Sequence, residues 1–415
     1  MARVLAYTSP ARGDLYPLVP ILDALQRRGH EIHVRTLAAE TERLAARGFH
    51  AEPIDGRIEA IRHHDWKAKG ARASLAAGTS VFVARAEHDA RDLRSAIDAV
   101  NPDVVVLDVN PWGAMAVAEA SGRPWAAVAP FPLPISSPDA PPFGPGLAPA
   151  RGPFGRLRDA LVRPLVIGAV ERAILPRLNA VRATIEPRLS PVRTADDLYS
   201  RPPLLLYLTA EPFEYHRRAW PANVRMVGPC AWEPELSPPA WLEAVEPPIV
   251  LVATSSEYQA DAILAQTAFD ALAGTEMTVI ATLPSDDPGV LRVPPNGRAE
   301  TFLPHGPILA RASVAITHGG MGVTQKALAA GVPVVAVPFG RDQPEVARRV
   351  EVAGAGVRLP RARLRPETLR AAVATAMDRR GGALAVAEGY QAAGGPEAAA
   401  SHLESMLRSG TFTSA

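Results

Sequence analysis

The sequence predicts an α/β protein built from two domains, each a parallel β-sheet covered by helices, which face each other across a cleft. The length of 415 residues is about two to three times that of an ordinary domain. Both halves alternate short apolar runs with amphipathic segments, a pattern typical of βαβ units. A proline-rich stretch separates the halves, and ligands of such domains bind at the carboxyl ends of the strands, so the cleft is the expected binding site.

The first half carries the alternation most clearly. Buried strands are expected at residues 3–9, 31–37, 103–109 and 125–130, and helices at 17–28, 40–47 and 112–121. Gly29 and Gly48 follow the first two helices as stop signals. A segment dense in proline and glycine at 130–153 predicts a long loop, which is either a functional lid or a surface loop without a role.

The second half restarts the same pattern. Strands are expected at 249–254, 277–283, 314–317 and 333–339, and helices at 259–273 and from residue 324. These elements divide the chain into a first domain (1–228), a linker with a short helix (229–248), a second domain (249–395) and a C-terminal segment (396–415) that begins as a helix.

Composition excludes several classes of protein. The 44 basic and 43 acidic residues nearly cancel, so no field attracts nucleic acid, and no nucleic-acid partner is expected. The single cysteine, Cys230, excludes an intramolecular disulfide framework and a cysteine-based zinc site. No signal-peptide pattern and no run of about 20 apolar residues is present, so a soluble, cytoplasmic protein without a membrane partner is expected.

A glycine-rich turn in the second half is the first candidate for chemistry. THGGMG (residues 317–322) lies between an apolar strand and a helix, where backbone N–H groups and the helix dipole favour an anion such as phosphate. His318 adds a ring N–H donor. The alternative is a tight strand-to-helix connection that binds nothing.

Polar side chains end two further strands of the same half. Ser255 and Ser256 supply hydroxyl groups, and Asp342 and Gln343 follow another strand. A carboxylate that accepts and an amide that also donates suit the adjacent hydroxyls of a sugar. The alternative for Asp342 and Gln343 is the N-cap of the next helix, ahead of Pro344.

The order of FLPH, THGGMG, GVP and DQ resembles the donor half of the inverting nucleotide-sugar glycosyltransferases of family 1, which have the GT-B fold of two Rossmann-like domains. The resemblance covers almost the whole chain. TSSEYQ and HGGMGVTQKAL are most similar to the bacterial branch that attaches deoxysugars to antibiotic aglycones of the enediyne, aromatic polyketide, macrolide or glycopeptide type. The family resemblance implies that residues 1–228 bind the acceptor and that residues 249–395 bind the donor. It also implies that the C-terminal helix crosses back to the first domain.

The same resemblance implies a role for each donor-site residue. The diphosphate is expected to bind at His318, Gly319, Gly320 and Gly322, with Ser255 and Ser256 assisting. The nucleobase is expected at Phe302 and at the backbone of Leu303. Asp342 and Gln343 are expected to bind the sugar hydroxyls. The nucleotide sugar is a co-substrate, and neither a cofactor nor a metal is expected, since no Asp-x-Asp motif adjoins these elements.

One position departs from the family. Many members have a glutamate eight residues after the motif histidine, where it binds both ribose hydroxyls, but this chain has Lys326. Lysine only donates hydrogen bonds, and a ribose without the 2′-hydroxyl does not need such an acceptor, so a dTDP-sugar is favoured over a UDP-sugar. The alternative is that Lys326 points to solvent.

The catalytic base is expected in the first half. SPARGDLYPLVP (residues 9–20) resembles the family's G-H-x-x-P segment, with Asp14 in place of the histidine that removes the acceptor proton. Burial would raise the pKa of Asp14 and make it a better base, whereas the alternative is a helix cap. Asp108 either acts beside Asp14 or caps the segment at 110–112. The segment His63, His64 and Asp65 is a rival source of the base, and the alternative is that these side chains are solvated at the surface.

The acceptor is expected to be a large apolar or aromatic small-molecule aglycone, bound by segments 54–79 and 131–153 with Trp66, Phe82, Trp112 and Phe131. The oligomeric state is expected to be a monomer or a homodimer. Three alternatives stay open: a C-glycosyltransferase, a sugar-nucleotide epimerase on the same fold, and a non-catalytic sugar-nucleotide binder.

Overall fold

The computed structural model describes residues 1–409, and the predicted C-terminal segment therefore extends beyond it at 410–415. The first domain contains seven parallel strands in the order β3-β2-β1-β4-β5-β6-β7. These strands are β1 (Arg3–Tyr7), β2 (Glu31–Thr36), β3 (His50–Pro53), β4 (Val104–Asp108), β5 (Trp125–Ala129), β6 (Leu204–Tyr207) and β7 (Val224–Met226). The order reverses between β1 and β4, which places a crevice at their carboxyl ends.

Eight helices cover this sheet: α1 (Arg12–Leu15), α2 (Val19–Arg27), α3 (Ala38–Ala45), α4 (Gly56–Ala60), α5 (Ala71–Val100), α6 (Trp112–Ala120), α7 (Gly152–Ile185) and α8 (Ala195–Ser200). Every predicted strand and helix of this half is present within a few residues. The long helices α5 and α7 have no counterpart among the predicted elements. Helix α7 contains Pro164 and Pro176, which argue against a helix when only the sequence is known.

The second domain contains six parallel strands in the order β10-β9-β8-β11-β12-β13. They are β8 (Ile249–Ala253), β9 (Thr278–Thr282), β10 (Gly297–Glu300), β11 (Ala312–Thr317), β12 (Val334–Ala336) and β13 (Gly356–Arg358). The helices are α9 (Ala262–Leu272), α10 (His305–Leu309), α11 (Met321–Ala329), α12 (Gln343–Val352), α13 (Pro366–Met377) and α14 (Arg380–Ala392). The prediction of two parallel-sheet Rossmann-like domains is confirmed.

Helix α15 (Gly395–Ser409) returns from the second domain to the first. Ala399 and Leu403 belong to the apolar core that also holds Leu22 of α2. Arg28, beside α2, forms ion pairs with Glu397 and Glu404 of α15. None of the helices within residues 1–409 is long and apolar enough to span a lipid bilayer.

A buried cluster of charges joins the two domains. Arg349 on α12 contacts both carboxylate oxygens of Glu214 at 2.9 Å and one oxygen of Glu345 at 3.0 Å. Tyr207, at the end of β6, donates its hydroxyl to Glu214 at 2.6 Å. Although burial opposes its charge, Arg349 holds the pKa of Glu214 below its ordinary value. The Arg349 guanidinium therefore compensates two buried carboxylates, and Arg217, at 3.9 Å from Glu214, adds a more distant positive charge.

We expect Arg349→Met to lower the free energy of unfolding by about 3 kcal/mol or more, because it leaves Glu214 and Glu345 buried without their cation. Urea unfolding of the purified protein measures this change. Arg380→Met is the matched control, since Arg380 is exposed on α14 and its loss should change little. Equal stability of the two variants would contradict the importance of the cluster.

Candidate active site

Asp14 lies at the carboxyl edge of the first sheet, inside the short helix α1. Its side chain is buried, and the Asn110 amide group donates to its two oxygens at 3.3 and 3.2 Å. The predicted alternative, a cap of the next helix, is wrong, because α2 has Leu18 as its N-cap and no side-chain cap. Asp14 is therefore a buried carboxylate held by one neutral amide.

Asp108 ends β4 and fixes the loop that carries Asp14. One of its oxygens accepts from the Ser9 backbone N–H, and the other accepts from the Ser9 hydroxyl at 3.1 Å and the Asn110 N–H at 2.7 Å. The bond to the Asn110 N–H agrees with the alternative that Asp108 caps the segment at 110–112, although the N-cap of helix α6 itself is Pro111. Asp108 reaches Asp14 through Asn110, which the sequence analysis did not single out.

The two carboxylates differ in how easily they hold a proton. Burial raises the pKa of Asp108 to about 6, against the hydrogen bonds from Ser9 and Asn110, which lower it. Burial and the charge of Asp108 raise the pKa of Asp14 well above its ordinary value, and Asn110 opposes this shift. Because Asp108 accepts more hydrogen bonds, it is the better stabilised anion, and Asp14 is the group that takes up a proton.

The segment with His63, His64 and Asp65 is only partly solvated. His64 is exposed, but His63 is half-buried, and its ring packs edge-on against Phe82 at 5.6 Å between centroids. Burial lowers the pKa of His63 to about 4. Asp65 is buried and accepts two hydrogen bonds of 2.9 Å from Arg341 of the second domain. The solvated alternative is therefore wrong for His63 and Asp65.

The glycine-rich turn follows β11 as predicted, and helix α11 begins at Met321, three residues earlier than expected. Gly319 has φ +82°, in the region that favours glycine. A Cβ atom on Gly320 would lie 2.2 Å from His318 Nε2, so only glycine allows the imidazole to lie over the helix start. Nothing fills the space beside Gly322. The Gly319 N–H donates to the Thr317 hydroxyl at 3.1 Å, so the turn offers an anion the N–H groups from Gly320 onward together with a ring nitrogen.

His318 is buried at this turn. Its Nδ1 lies 3.3 Å from the Ala253 carbonyl oxygen and 4.0 Å from Asp261 Oδ2. Burial lowers the pKa of His318, while Asp261 opposes the shift. A proton on Nδ1 directed at Ala253 leaves Nε2 facing Gly320, where a second proton would make it a donor to an anion.

Asp261 is fully buried and organises the end of β8, although the sequence analysis did not single it out. Its carboxylate accepts from the Ser255 N–H at 2.8 Å and from the Gln259 amide at 3.3 Å. The Ser255 hydroxyl accepts from the Glu257 N–H, while Ser256 is exposed. Ser255 is therefore fixed by protein contacts, and Ser256 is free to meet a ligand.

Asp342 and Gln343 stand at the N-terminus of α12, but they differ in their contacts. Asp342 is the N-cap residue, yet its carboxylate makes no capping hydrogen bond, and burial raises its pKa to about 6. The Gln343 amide oxygen accepts from the N–H groups of Phe339 and Gly340, and its amide nitrogen donates to Gln259. The structure thus leaves Asp342 available and commits most of Gln343 to holding the turn.

The expected nucleobase and ribose positions lie between β10 and α11. Phe302 is 40% exposed, and Leu303 is buried. Lys326 does not point freely to solvent, because its Nζ lies 3.1 Å from Glu233 of the linker. Glu233 also accepts from the N–H groups of His305 and Gly306. The predicted solvent alternative for Lys326 is wrong, and its partner Glu233 could not be predicted because it lies 93 residues away in the chain.

The predicted acceptor residues do not share one environment. Phe82 packs against Trp112 at 5.4 Å between ring centroids, and Trp112 is buried. Phe131 packs against the cores of both domains. Trp66 meets Tyr258 of the second domain edge-on at 5.0 Å. Phe82 and Trp112 form one apolar wall, whereas Trp66 and Phe131 lie at the junction of the domains.

The proline-rich loop crosses the cleft. The N–H groups of Gly144 and Gly146 both donate to Glu345 of α12 at 2.8 Å, and Arg348 donates to the Gly146 carbonyl oxygen. A Cβ atom on Gly146 would lie 2.4 Å from the Pro344 carbonyl oxygen. The loop is therefore docked on the second domain, which agrees with the lid prediction but does not by itself assign the loop a function.

Comparisons with known proteins agree with this architecture. Residues 266–406 match the family described as erythromycin biosynthesis protein CIII-like, C-terminal domain. The 4'-demethylrebeccamycin synthase of Lentzea aerocolonigenes is 32% identical over 392 residues, which cover 91% of this chain and 92% of that protein.

Solved structures show the same fold at lower identity. The calicheamicin glycosyltransferase CalG4 has a TM-score of 0.70 at 23% identity and covers 98% of both chains. The spinosyn rhamnosyltransferase SpnG complexed with thymidine diphosphate has a TM-score of 0.70 at 18% identity, covering 97% of this chain and 100% of its own. The chain therefore belongs to the family 1 glycosyltransferases of natural-product biosynthesis, which have the GT-B fold.

Proposed function

We propose that this enzyme transfers a deoxysugar from a dTDP-sugar to a hydroxyl group of an apolar or aromatic aglycone, with inversion at the anomeric carbon. The observation that carries the proposal is Asp14, a buried carboxylate of raised pKa at the edge of the cleft. Glu257 of the second domain acts electrostatically on Asp14, so the donor half lies close to this carboxylate. We place the reaction in the cytoplasm.

Asp14 acts as the general base in this proposal. It takes the proton of the acceptor hydroxyl while that oxygen attacks the anomeric carbon from the face opposite the leaving group. Burial favours this step because it makes Asp14 a stronger base than an exposed aspartate. Burial has the opposite effect on His63, whose pKa of about 4 makes it the weaker base. Asn110 and Asp108 position Asp14.

The leaving nucleoside diphosphate is stabilised at the start of α11. The free N–H groups of the turn and the helix dipole meet the developing charge, and His318 adds a donor when Nε2 is protonated. Asp342, which makes no capping hydrogen bond, accepts from the sugar hydroxyls. Gln343 keeps its remaining N–H for the sugar and otherwise holds the turn in place.

The donor class follows from Lys326 and Glu233. The ion pair occupies the place where the family resemblance puts a ribose-binding carboxylate, and Glu233 is already engaged by two backbone N–H groups. Neither side chain is a free acceptor for a 2′-hydroxyl, so a deoxyribose suits this site better. The thymidine diphosphate of the SpnG complex supports the same nucleotide for this chain.

Phe82 is partly exposed and packs against the buried Trp112, so it offers an apolar ring to the aglycone, which favours an aromatic acceptor. The first experiment is to incubate the purified protein with dTDP- and UDP-sugars and a panel of aromatic polyketide, enediyne and macrolide aglycones. Release of dTDP that depends on the aglycone, with an inverted product, is expected. An acid-stable carbon–carbon linkage in the product would favour the C-glycosyltransferase alternative.

We expect Asp14→Asn to lower kcat by about a hundredfold or more, because the general base is lost. KM for the donor should change little, since Asp14 belongs to the acceptor domain. Steady-state rates with the accepted aglycone measure both effects. Asp98→Asn, an exposed aspartate on α5, is the control. Near-normal turnover by folded Asp14→Asn protein would sink the assignment of the base.

The pH profile provides an independent test. Asp14 must be ionised to act, so kcat/KM should fall as the pH drops, with an apparent pKa well above that of an ordinary aspartate. Asn110→Ala removes the hydrogen bonds that favour the ionised form, so it should move this acidic limb to higher pH. An unchanged limb in Asn110→Ala would argue against control by Asp14.

The nucleotide preference can be tested by Lys326→Glu, which places at this position the residue that many relatives have. We expect the ratio of kcat/KM for UDP-sugar over dTDP-sugar to rise about tenfold or more, since the new carboxylate can accept from the 2′-hydroxyl. Lys326→Met is the control, because it breaks the pair with Glu233 without adding an acceptor and should affect both donors alike. An unchanged ratio in Lys326→Glu would contradict the proposed basis of donor choice.

A further inference from the structure

Three side chains at the outer edge of the first sheet form a group that the transfer reaction does not use. We call Glu31 and His33 of β2 and His50 of β3 the edge cluster. Glu31 Oε1 lies 2.8 Å from His33 Nε2 and 3.7 Å from His50 Nε2. Within residues 1–409, this is the one place where three histidine, cysteine or acidic side chains offer ligand atoms within 4.8 Å of one another.

The backbone holds these side chains on one face. His33 and His50 are direct neighbours in the parallel pairing of β2 with β3, and Glu31 precedes His33 by two residues. Side chains two residues apart on a strand point to the same side of the sheet. The imidazole rings stack at 4.6 Å with a 20° angle between their planes. The strand register therefore brings the three ligand atoms together, and the exposed His50 ring must rotate out of the stack to direct its Nε2 at the same ion as His33.

The surrounding charges also favour a cation. Arg35 follows on the same face, but it stands opposite Glu52 in the register and pairs with it at 2.7 Å. Glu52 therefore neutralises the positive charge of Arg35, which would otherwise repel a cation at the edge cluster. Glu31 is the one acid among the three residues of the edge cluster, so the cluster has a carboxylate charge available for a metal ion.

We propose that the edge cluster binds a divalent transition-metal ion, with Zn²⁺ as the representative. Two histidines and one carboxylate are a common zinc-ligand set, and imidazole selects against Mg²⁺ and Ca²⁺. Ligand atoms on one tetrahedral zinc lie about 3.4 Å apart when each bond is about 2.1 Å. The separations of 2.8 and 3.7 Å bracket this value, and partly exposed Glu31 and His50 have room to adjust. Water would complete the coordination.

The position of the edge cluster gives the metal a structural role. Glu31 and His50 are the first residues of β2 and β3, whereas the active-site cleft lies at the opposite ends of the strands. The strand length separates the two by roughly 15 Å. β3 is the outermost strand and is largely exposed. A bound ion would therefore fasten this strand to β2 without taking part in the sugar transfer.

The test titrates the tag-free, chelator-treated full chain with ZnCl₂ by calorimetry and records thermal unfolding with and without Zn²⁺. We expect one equivalent to bind with a Kd of about 10 µM or tighter and to raise Tm, because the ion binds the folded state. His50→Ala and His33→Ala should each weaken binding about tenfold or more and abolish the rise in Tm. Co²⁺ should give a visible absorption band that both variants lose.

His216→Ala is the matched control, because His216 forms a surface pair with Glu211 at 2.9 Å but belongs to no group of three ligand side chains in the described part of the chain. This variant should bind Zn²⁺ like the wild type. Glycosyl transfer by the metal-free enzyme should equal that of the zinc-loaded enzyme, so failure of this proposal stays separate from failure of the proposed reaction. No saturable binding up to about 100 µM Zn²⁺, or binding retained in both edge-cluster histidine variants, would overturn it.

Discussion

The ion cluster around Arg349 is the constraint on which the arrangement of both half-sites depends. Arg349 is the largest fully buried side chain within residues 1–409, and its guanidinium contacts Glu214 and Glu345. Buried charges destabilise a fold unless their partners are well placed, and here the partners come from different parts of the chain. Glu214 follows the last central strand of the first domain, so the cluster fixes α12 relative to that sheet.

Helix α12 transmits this constraint to the substrates. Its Glu345 holds the loop of Gly144 and Gly146, while Arg341, just before the helix, holds Asp65. The acceptor domain thus contacts α12 near the end that carries Asp342, the residue available to a sugar. Closing the cleft around the donor excludes water, which would otherwise compete with the aglycone for the sugar. In the proposed reaction, the contacts that join the domains therefore help to keep water away from the donor.

The sequence predicted the elements whose signals are local. Continuous apolar runs located the central strands, and the glycine pair beside His318 located the turn, because both signals occupy adjacent residues. Contacts between distant segments could not be predicted in this way. Glu233 meets Lys326 across 93 residues, and Asn110 meets Asp14 across 96. Helix α7 was missed for another reason, since Pro164 and Pro176 oppose a helix that packing nevertheless stabilises.

In the proposed reaction, burial explains how an aspartate can act where the family resemblance implies a histidine. Removing water disfavours charge, so it raises the pKa of a carboxyl group and lowers that of an imidazole. Both effects occur in the first domain, where burial makes Asp14 a stronger base than an exposed aspartate and His63 a weaker base than an exposed histidine. A histidine at position 14 would lose basicity in the same surroundings unless Asp108 compensated it. In the proposed reaction, the burial of Asp14 therefore suits its role as the base, because the loss of water that raises its pKa also strengthens its affinity for the acceptor proton.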